Sequence, residues 1–188
     1  MSSILKVDTI QDSSGNNIIN ESSNTITIGA SGDTTNIVGT VQNDGASLAN
    51  TPAFHAYNAQ NGSVASNTNV IVSNNTELFD SDSAYNTSDY KFTPQTAGYY
   101  FLYAQVRWQT GDNSFDRINL EILKNGSAIL ASRNDNTDYS TVNVCGSVYA
   151  NGSTDYFQLQ SYHGRGSSVS ITTDDEYTYF GGYKLIGV

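Results

Sequence analysis

Cysteine, methionine and tryptophan each occur once in the 188 residues, and proline twice. A lone cysteine, Cys145, excludes any disulfide within the chain, so packing rather than cross-linking has to hold the fold. Helical periodicity is missing too: no stretch repeats its apolar residues at the 3.6-residue spacing of an amphipathic helix. No apolar run reaches the length that crosses a bilayer as a helix. Charge is sparse at 14% of residues, and positive charge is the scarcer sign, with 8 Lys and Arg against 18 Asp and Glu. The resulting net charge of -10 repels phosphate backbones and anionic membrane surfaces, which argues against nucleic-acid binding and membrane insertion. The first ten residues, Met1 to Ile10, lack the charged-then-apolar layout of a secretory signal, so synthesis in a cytoplasm is expected.

What is present favours sheet. Thirteen Tyr and seven Phe join many Val, Ile and Thr, residues that suit a pleated, half-buried surface. Tyr100, Leu102, Ala104, Val106 and Trp108 alternate with Tyr99, Phe101, Tyr103, Gln105 and Arg107, as a two-sided strand requires. Ile118, Leu120 and Ile122 alternate in the same way, as do Val142, Val144, Gly146 and Val148, and Phe157 with Leu159. Asn125-Gly126, followed by Ala128-Ile129-Leu130, signals a tight hairpin. Many short strands between Gly, Asn and Asp turns predict an all-β sandwich or barrel. Cys145 falls inside one alternating run, where a packed small residue is the expectation.

The chain divides into two regions. Residues 1–50 contain no aromatic side chain, whereas residues 51–188 are rich in them. The first region cannot build a core alone, yet it carries a loose two-copy repeat. Val7 to Ile10 leads through Gly15 to Ile18-Ile19, and Thr25 to Ile28 leads through Gly32 to Ile37-Val38. Isoleucines that one copy cannot bury can be buried against other copies, so a threefold β-rich stalk is expected. A disordered polar leader is the alternative. Gln42 to Asn50 has the turn chemistry of a link.

Several segments of the second region resemble the globular-head family of complement component one, subcomponent q, which shares the tumour-necrosis-factor type of jelly roll. Phe54-His55-Ala56 resembles its opening strand. Tyr90-Lys91-Phe92-Thr93-Pro94 through Gly98-Tyr99-Tyr100-Phe101 resembles its Phe-Thr-x-Pro-x-x-Gly-x-Tyr-x-Phe signature, although Pro94 follows Thr93 directly and Leu102 replaces a usual Phe. Leu120 to Gly126 resembles its Leu-x-x-x-Lys-Asn-Gly hairpin, Asp155 its Gly-Asp position, and Phe180 to Leu185 its closing strand. The resemblance covers residues 53–188 in family order. It implies a jelly roll of about ten strands that assembles as a homotrimer through one sheet. Residues 1–50 resemble the amino-terminal stretches of fibre and appendage proteins of tailed bacteriophages, through Leu5 to Ile10 with Gly15 and Thr25 to Thr40. The combination implies a virion structural protein, a short tail or head fibre whose head binds a host surface protein or glycan. Capsid or baseplate decoration is the alternative, and an enzyme acting on surface polysaccharide stands further back.

No catalytic constellation emerges. Neither His55 nor His163 has the carboxylate-held spacing of a triad, and carboxylate pairs are expected by chance among so many acids. Under the resemblance, Asp155, Asp174, Asp175 and Glu176 become candidate calcium ligands at a trimer axis, where a hard cation would relieve converging like charges. A plain exposed acidic turn is the other reading. No other cofactor is implied. Candidate receptor contacts lie in three expected loops, at Asp112 and Asn113, at Asn134 and Asn136, and at His163 and Arg165.

Overall fold

The computed structural model describes residues 34, 37–39, 41–43, 46–59, 62–109, 114–137 and 140–186. The chain divides into two compact units, Met1–Val41 and Gln42–Val188. The strand-turn-strand repeat of the first unit lies outside the described residues, except for Thr34, Ile37 and Val38; the latter two are exposed.

Among the described residues no helix occurs. The strands of the second unit are β1 (Gln42–Asn43), β2 (Ala46–Ser47), β3 (Ala53–Tyr57), β4 (Ser63–Val64), β5 (Thr68–Ile71), β6 (Thr76–Asp80), β7 (Tyr85–Asn86) and β8 (Lys91–Phe92). They continue with β9 (Gly98–Gln109), β10 (Phe115–Lys124), β11 (Ser127–Thr137), β12 (Thr141–Ala150), β13 (Phe157–Gly164), β14 (Val169–Ile171) and β15 (Tyr179–Lys184). Apart from the β1-β2 pair, they form two sheets. One runs β11-β10-β13-β8-β7 with β5 added to β13; the other runs β4-β14-β9-β15-β3-β6 with β12 added to β9. β9 pairs antiparallel with β12 from Gly98 to Arg107 and with β15 from Tyr100 to Gln105, so it is the spine of the second sheet.

The alternation read from the sequence is the alternation of burial. Tyr100, Leu102, Val106 and Trp108 of β9 and Ile118, Leu120 and Ile122 of β10 are fully buried between the sheets. Phe54 stacks on Phe92 with ring centroids 4.3 Å apart, lies nearly parallel to Tyr85 at 4.9 Å, and meets Phe180 edge-on at 5.0 Å. Each such aromatic contact adds about 0.5–1.5 kcal/mol to simple burial. The β10-β11 hairpin turns at Asn125 (φ 53°) and Gly126 (φ 82°), with Lys124 facing Ser127. Two successive left-handed residues match the strand twist, which is why Asn-Gly occupies this position.

One sequence expectation is reversed here. Asn134 and Asn136 are strand residues of β11, not loop residues. Arg117 faces Asp135, Ile118 faces Asn134 and Phe115 faces Thr137, so the ladder continues through a polar stretch that shows no apolar alternation. β11 is the edge of its sheet, where charged and amide side chains are tolerated and discourage stray pairing.

Candidate assembly face

The side chains of β9 that point away from the core are Tyr99, Phe101, Tyr103, Gln105 and Arg107. Antiparallel register carries that face across the neighbouring strands. Tyr103 is flanked by Gly181 of β15 and Cys145 of β12, and Gly181 in turn faces His55 of β3, which faces Phe79 of β6. One rung along, Phe101 lies between Tyr183 and Ser147; on the next, Tyr99 faces Tyr149. The rings touch along this ladder: Tyr99–Tyr149 at 5.5 Å, Phe101–Tyr183 at 5.8 Å and Tyr103–Tyr179 at 6.1 Å. Tyr99, Tyr149 and Phe79 remain about half exposed, at 48%, 49% and 51%. Rings left half exposed side by side in this way form a contiguous apolar patch, which single domains rarely expose.

Local chemistry fixes the patch. A Cβ at Gly181 would run into the Tyr103 ring, so only glycine lets that ring lie flat across β15. The adjacent Gly182 faces inward against Leu102, the close approach expected of it. A bulge in the β3-β6 pairing sets two residues of β6 against one of β3. Leu78 and Phe79 are consequently both more than half exposed at the rim of the aromatic face, an effect typical of bulges. His55 sits among these rings. The Tyr103 hydroxyl is 3.0 Å from its Nδ1, and Tyr179 and Phe79 lie at 5.3 and 6.2 Å between centroids. Burial lowers the His55 pKa, against an opposing pull from Asp175. Burial likewise raises the Tyr103 pKa, helped by Tyr179 and Tyr183, so the phenol stays un-ionised. Beyond the aromatic rungs the face turns polar. Gln105 Nε2 donates to the Glu176 and Tyr177 carbonyls at 3.2 Å, and the Arg107 guanidinium lies 4.5 Å over the Tyr177 ring.

The outer side of the other sheet differs. Arg117, Asn119 and Glu121 of β10 point outward beside Tyr162 and Gln160 of β13. Gln160 Nε2 donates to Glu121 Oε2 at 3.0 Å, Arg117 Nη2 donates to the Tyr162 hydroxyl at 3.1 Å, and that hydroxyl donates to Asn67 Oδ1 at 2.7 Å.

The sequence candidates are scattered. Asp155 is nearly covered; it pairs with Lys124 Nζ at 2.8 Å and accepts from Asn125 Nδ2 and the Asn151 amide at 2.8 and 2.9 Å. Those contacts, Lys124 foremost, pull its pKa down to about 2. It closes the loop that follows Ala150, the partner of Gly98 at one end of β9. Asp174, Asp175 and Glu176 belong to the turn tied to Gln105 near the other end. The single chain therefore does not bring the four carboxylates together, and among the described residues no three His, Cys, Asp or Glu side chains are grouped to hold a metal ion.

His163 is corrected from a loop contact to a core residue. It is fully buried at the end of β13, with Nε2 donating to the Val64 carbonyl at 3.1 Å and the tilted Trp108 ring 4.5 Å away between centroids. Arg165 follows in the turn and is half-buried, its amide donating to Ser66 Oγ at 3.1 Å. Asn134 is half-buried within β11; the side chain of Asn136, and Asp112 and Asn113 entirely, lie outside the described residues. Cys145 is exposed on the aromatic face rather than packed. The residues missed as candidates are Phe79, Tyr99, Phe101, Tyr103 and Tyr183. Their signal was a strand apolar on both registers, which one core-facing side cannot account for.

No protein-family model matches the chain, and no curated protein matches it. Solved structures do. Murine APRIL at pH 8.0 aligns over 71% of this chain and 98% of its own with a TM-score of 0.56 and 13% identity. At pH 8.5 the same murine protein gives 0.55 and 12% over the same shares. The globular domain of zebrafish complement 1qA covers 72% and 98%, with a TM-score of 0.49 and 16% identity. At these identities the likeness concerns fold alone. The second unit has the all-β jelly-roll fold of murine APRIL.

Proposed function

We propose that the chain is a bacteriophage virion structural protein, a short trimeric fibre or spike whose jelly-roll head touches a host surface glycan or protein. The observation that carries the assembly is the outward aromatic ladder of β9, β12 and β15, continued by His55 and Phe79. One chain offers both an apolar face and, at its rim, the projecting Leu78-Phe79 pair, so copies of the same chain can cover each other's patches. Heterologous contacts of this kind close into a ring when the rotation between copies allows it. The resemblance to complement-q heads supports a ring of three. The resemblance of residues 1–50 to phage fibre leaders supports a β-rich attachment stalk on the virion. Weak contacts repeated on a rigid trimer add up to useful avidity at a host surface.

Light scattering on the full chain and on residues 51–188 tests the assembly. Both are expected at three times the chain mass, and a monomer of either at micromolar concentration overturns a self-assembling head. Labelled trimer incubated with intact bacterial cells tests attachment. Retention abolished by stripping surface polysaccharide identifies a glycan, whereas no retention on any host of the phage leaves a decorating role.

A further inference from the structure

The aromatic ladder holds one ionisable group that changes charge near neutral pH, and it sits at the centre of one rung. His55 is enclosed on three sides within its own chain: by the Tyr103 hydroxyl from β9 at Nδ1, by Tyr179 from β15, and by Phe79 from the edge strand β6. Burial keeps the Tyr103 phenol un-ionised. The charged group that acts on the imidazole is Asp175, an exposed carboxylate in the turn before β15. The remaining side of His55 opens onto the patch that a second copy would cover.

Resting on the reading that this face meets other copies, we propose that protonation of His55 controls their assembly, the neutral imidazole permitting closure and the imidazolium opening it. Covering the face removes the water that solvates a cation, and apolar rings replace it. Two effects oppose this. An exposed carboxylate such as Asp175 stabilises a neighbouring charge only weakly, and a cation above a tyrosine face gains little until it is desolvated. Desolvation therefore wins, and it already outweighs Asp175 in the single chain, where the His55 pKa is lowered. Three copies carry three such groups. A further fall of one pKa unit per subunit on assembly would change the trimer association constant about 10³-fold across the titration.

The test is the mass of the full chain by light scattering at about pH 8 and about pH 5, at equal ionic strength, with His55→Gln alongside. A trimer at the higher pH that dissociates at the lower, together with a His55→Gln trimer that persists at both, is the expected pattern. A monomer at both pH values overturns the assembly reading itself. A wild-type trimer at both leaves assembly intact and overturns the proton control. Acid dissociation that persists in His55→Gln assigns the proton elsewhere, to His163 first, and also overturns it. Near-UV circular dichroism of the tyrosines reports whether the variant is folded. Should His55→Gln not fold, Asp175→Asn decides the matter: loss of that carboxylate must move the dissociation midpoint to lower pH, and an unmoved midpoint is contrary to the proposal.

Discussion

The two outer faces of this jelly roll are built on the same strand geometry and have opposite chemistry. On β9 and β15 the outward register is Tyr, Phe and Gly, with rings in contact and edges open. On β10 and β13 it is Arg, Asn, Glu, Gln and Tyr, linked by the Arg117–Tyr162 and Gln160–Glu121 hydrogen bonds, while Arg117 Nε and Asn119 Oδ1 have no hydrogen-bond partner. A face of charged and amide side chains loses hydration when covered, whereas one made of half-exposed rings gains about 25 cal/mol for each Å² of apolar area removed from water. The two faces of one sandwich thus differ in what covering them would yield.

The widest separation of the two faces comes from placing the same charge on each. Phe101→Asp is expected to reduce the mass to that of one chain, because each subunit would bury a carboxylate among rings; Gln160→Asp should leave the assembled mass unchanged. Equal behaviour in light scattering would erase the distinction. Next come the glycines. Gly181→Ala forces the Tyr103 ring off β15 and should cost about 1–3 kcal/mol in denaturant unfolding. Gly164→Ala on β13 meets the Asn67 amide oxygen at 3.3 Å and Tyr162 at 3.5 Å or more, with no backbone in the way, and should cost less than about 1 kcal/mol.

Between the faces, buried His163 sharpens the contrast by titrating from inside. Burial lowers its pKa, Arg165 adds to the lowering, and the bond to the Val64 carbonyl opposes it. The unfolded chain therefore binds the proton more readily. The stability conferred by neutral His163 is complete above the ordinary value of 6.5 and is lost as pH falls below it. The slope is at most about 1.4 kcal/mol per pH unit for one proton. His163→Gln should flatten it in melting curves taken between about pH 7 and 5, with His55 supplying what remains. The smallest effect belongs to the polar face: Arg133→Ala deletes an exposed pair with Asp135 at 2.8 Å and should change stability by no more than about 0.5 kcal/mol.

Much of this was written in period-two alternation. Strands β9, β10, β12 and β13 and the Asn125-Gly126 hairpin were legible because each buries one register and turns with the only dipeptide type that suits the twist. The assembly face was not, because Tyr99-Phe101-Tyr103 reads as a second core register until β15 is laid beside it. Its role depends on register between segments far apart in sequence. The β6 bulge was hidden for the same reason, since an extra residue is visible only against its partner strand. His163 was misplaced because Gly164-Arg165-Gly166 advertises a turn, yet the strand runs up to Gly164. Asp155 stood out as an acid at a family position, but its use is decided by Lys124, which only the β10-β13 pairing brings beside it.

The placement of β15 between β3 and β9 has a consequence for the order in which this protein is made. The aromatic sheet has a gap at its middle until Tyr179–Lys184 is inserted, so neither the Gly181 seat for Tyr103 nor the enclosure of His55 exists before then. A chain translated only as far as β14 cannot present that surface, because the strand that completes it has not yet been made. Pairings this distant in sequence form slowly. That delay would keep the aromatic face of neighbouring nascent chains on one message incomplete until each β15 is in place.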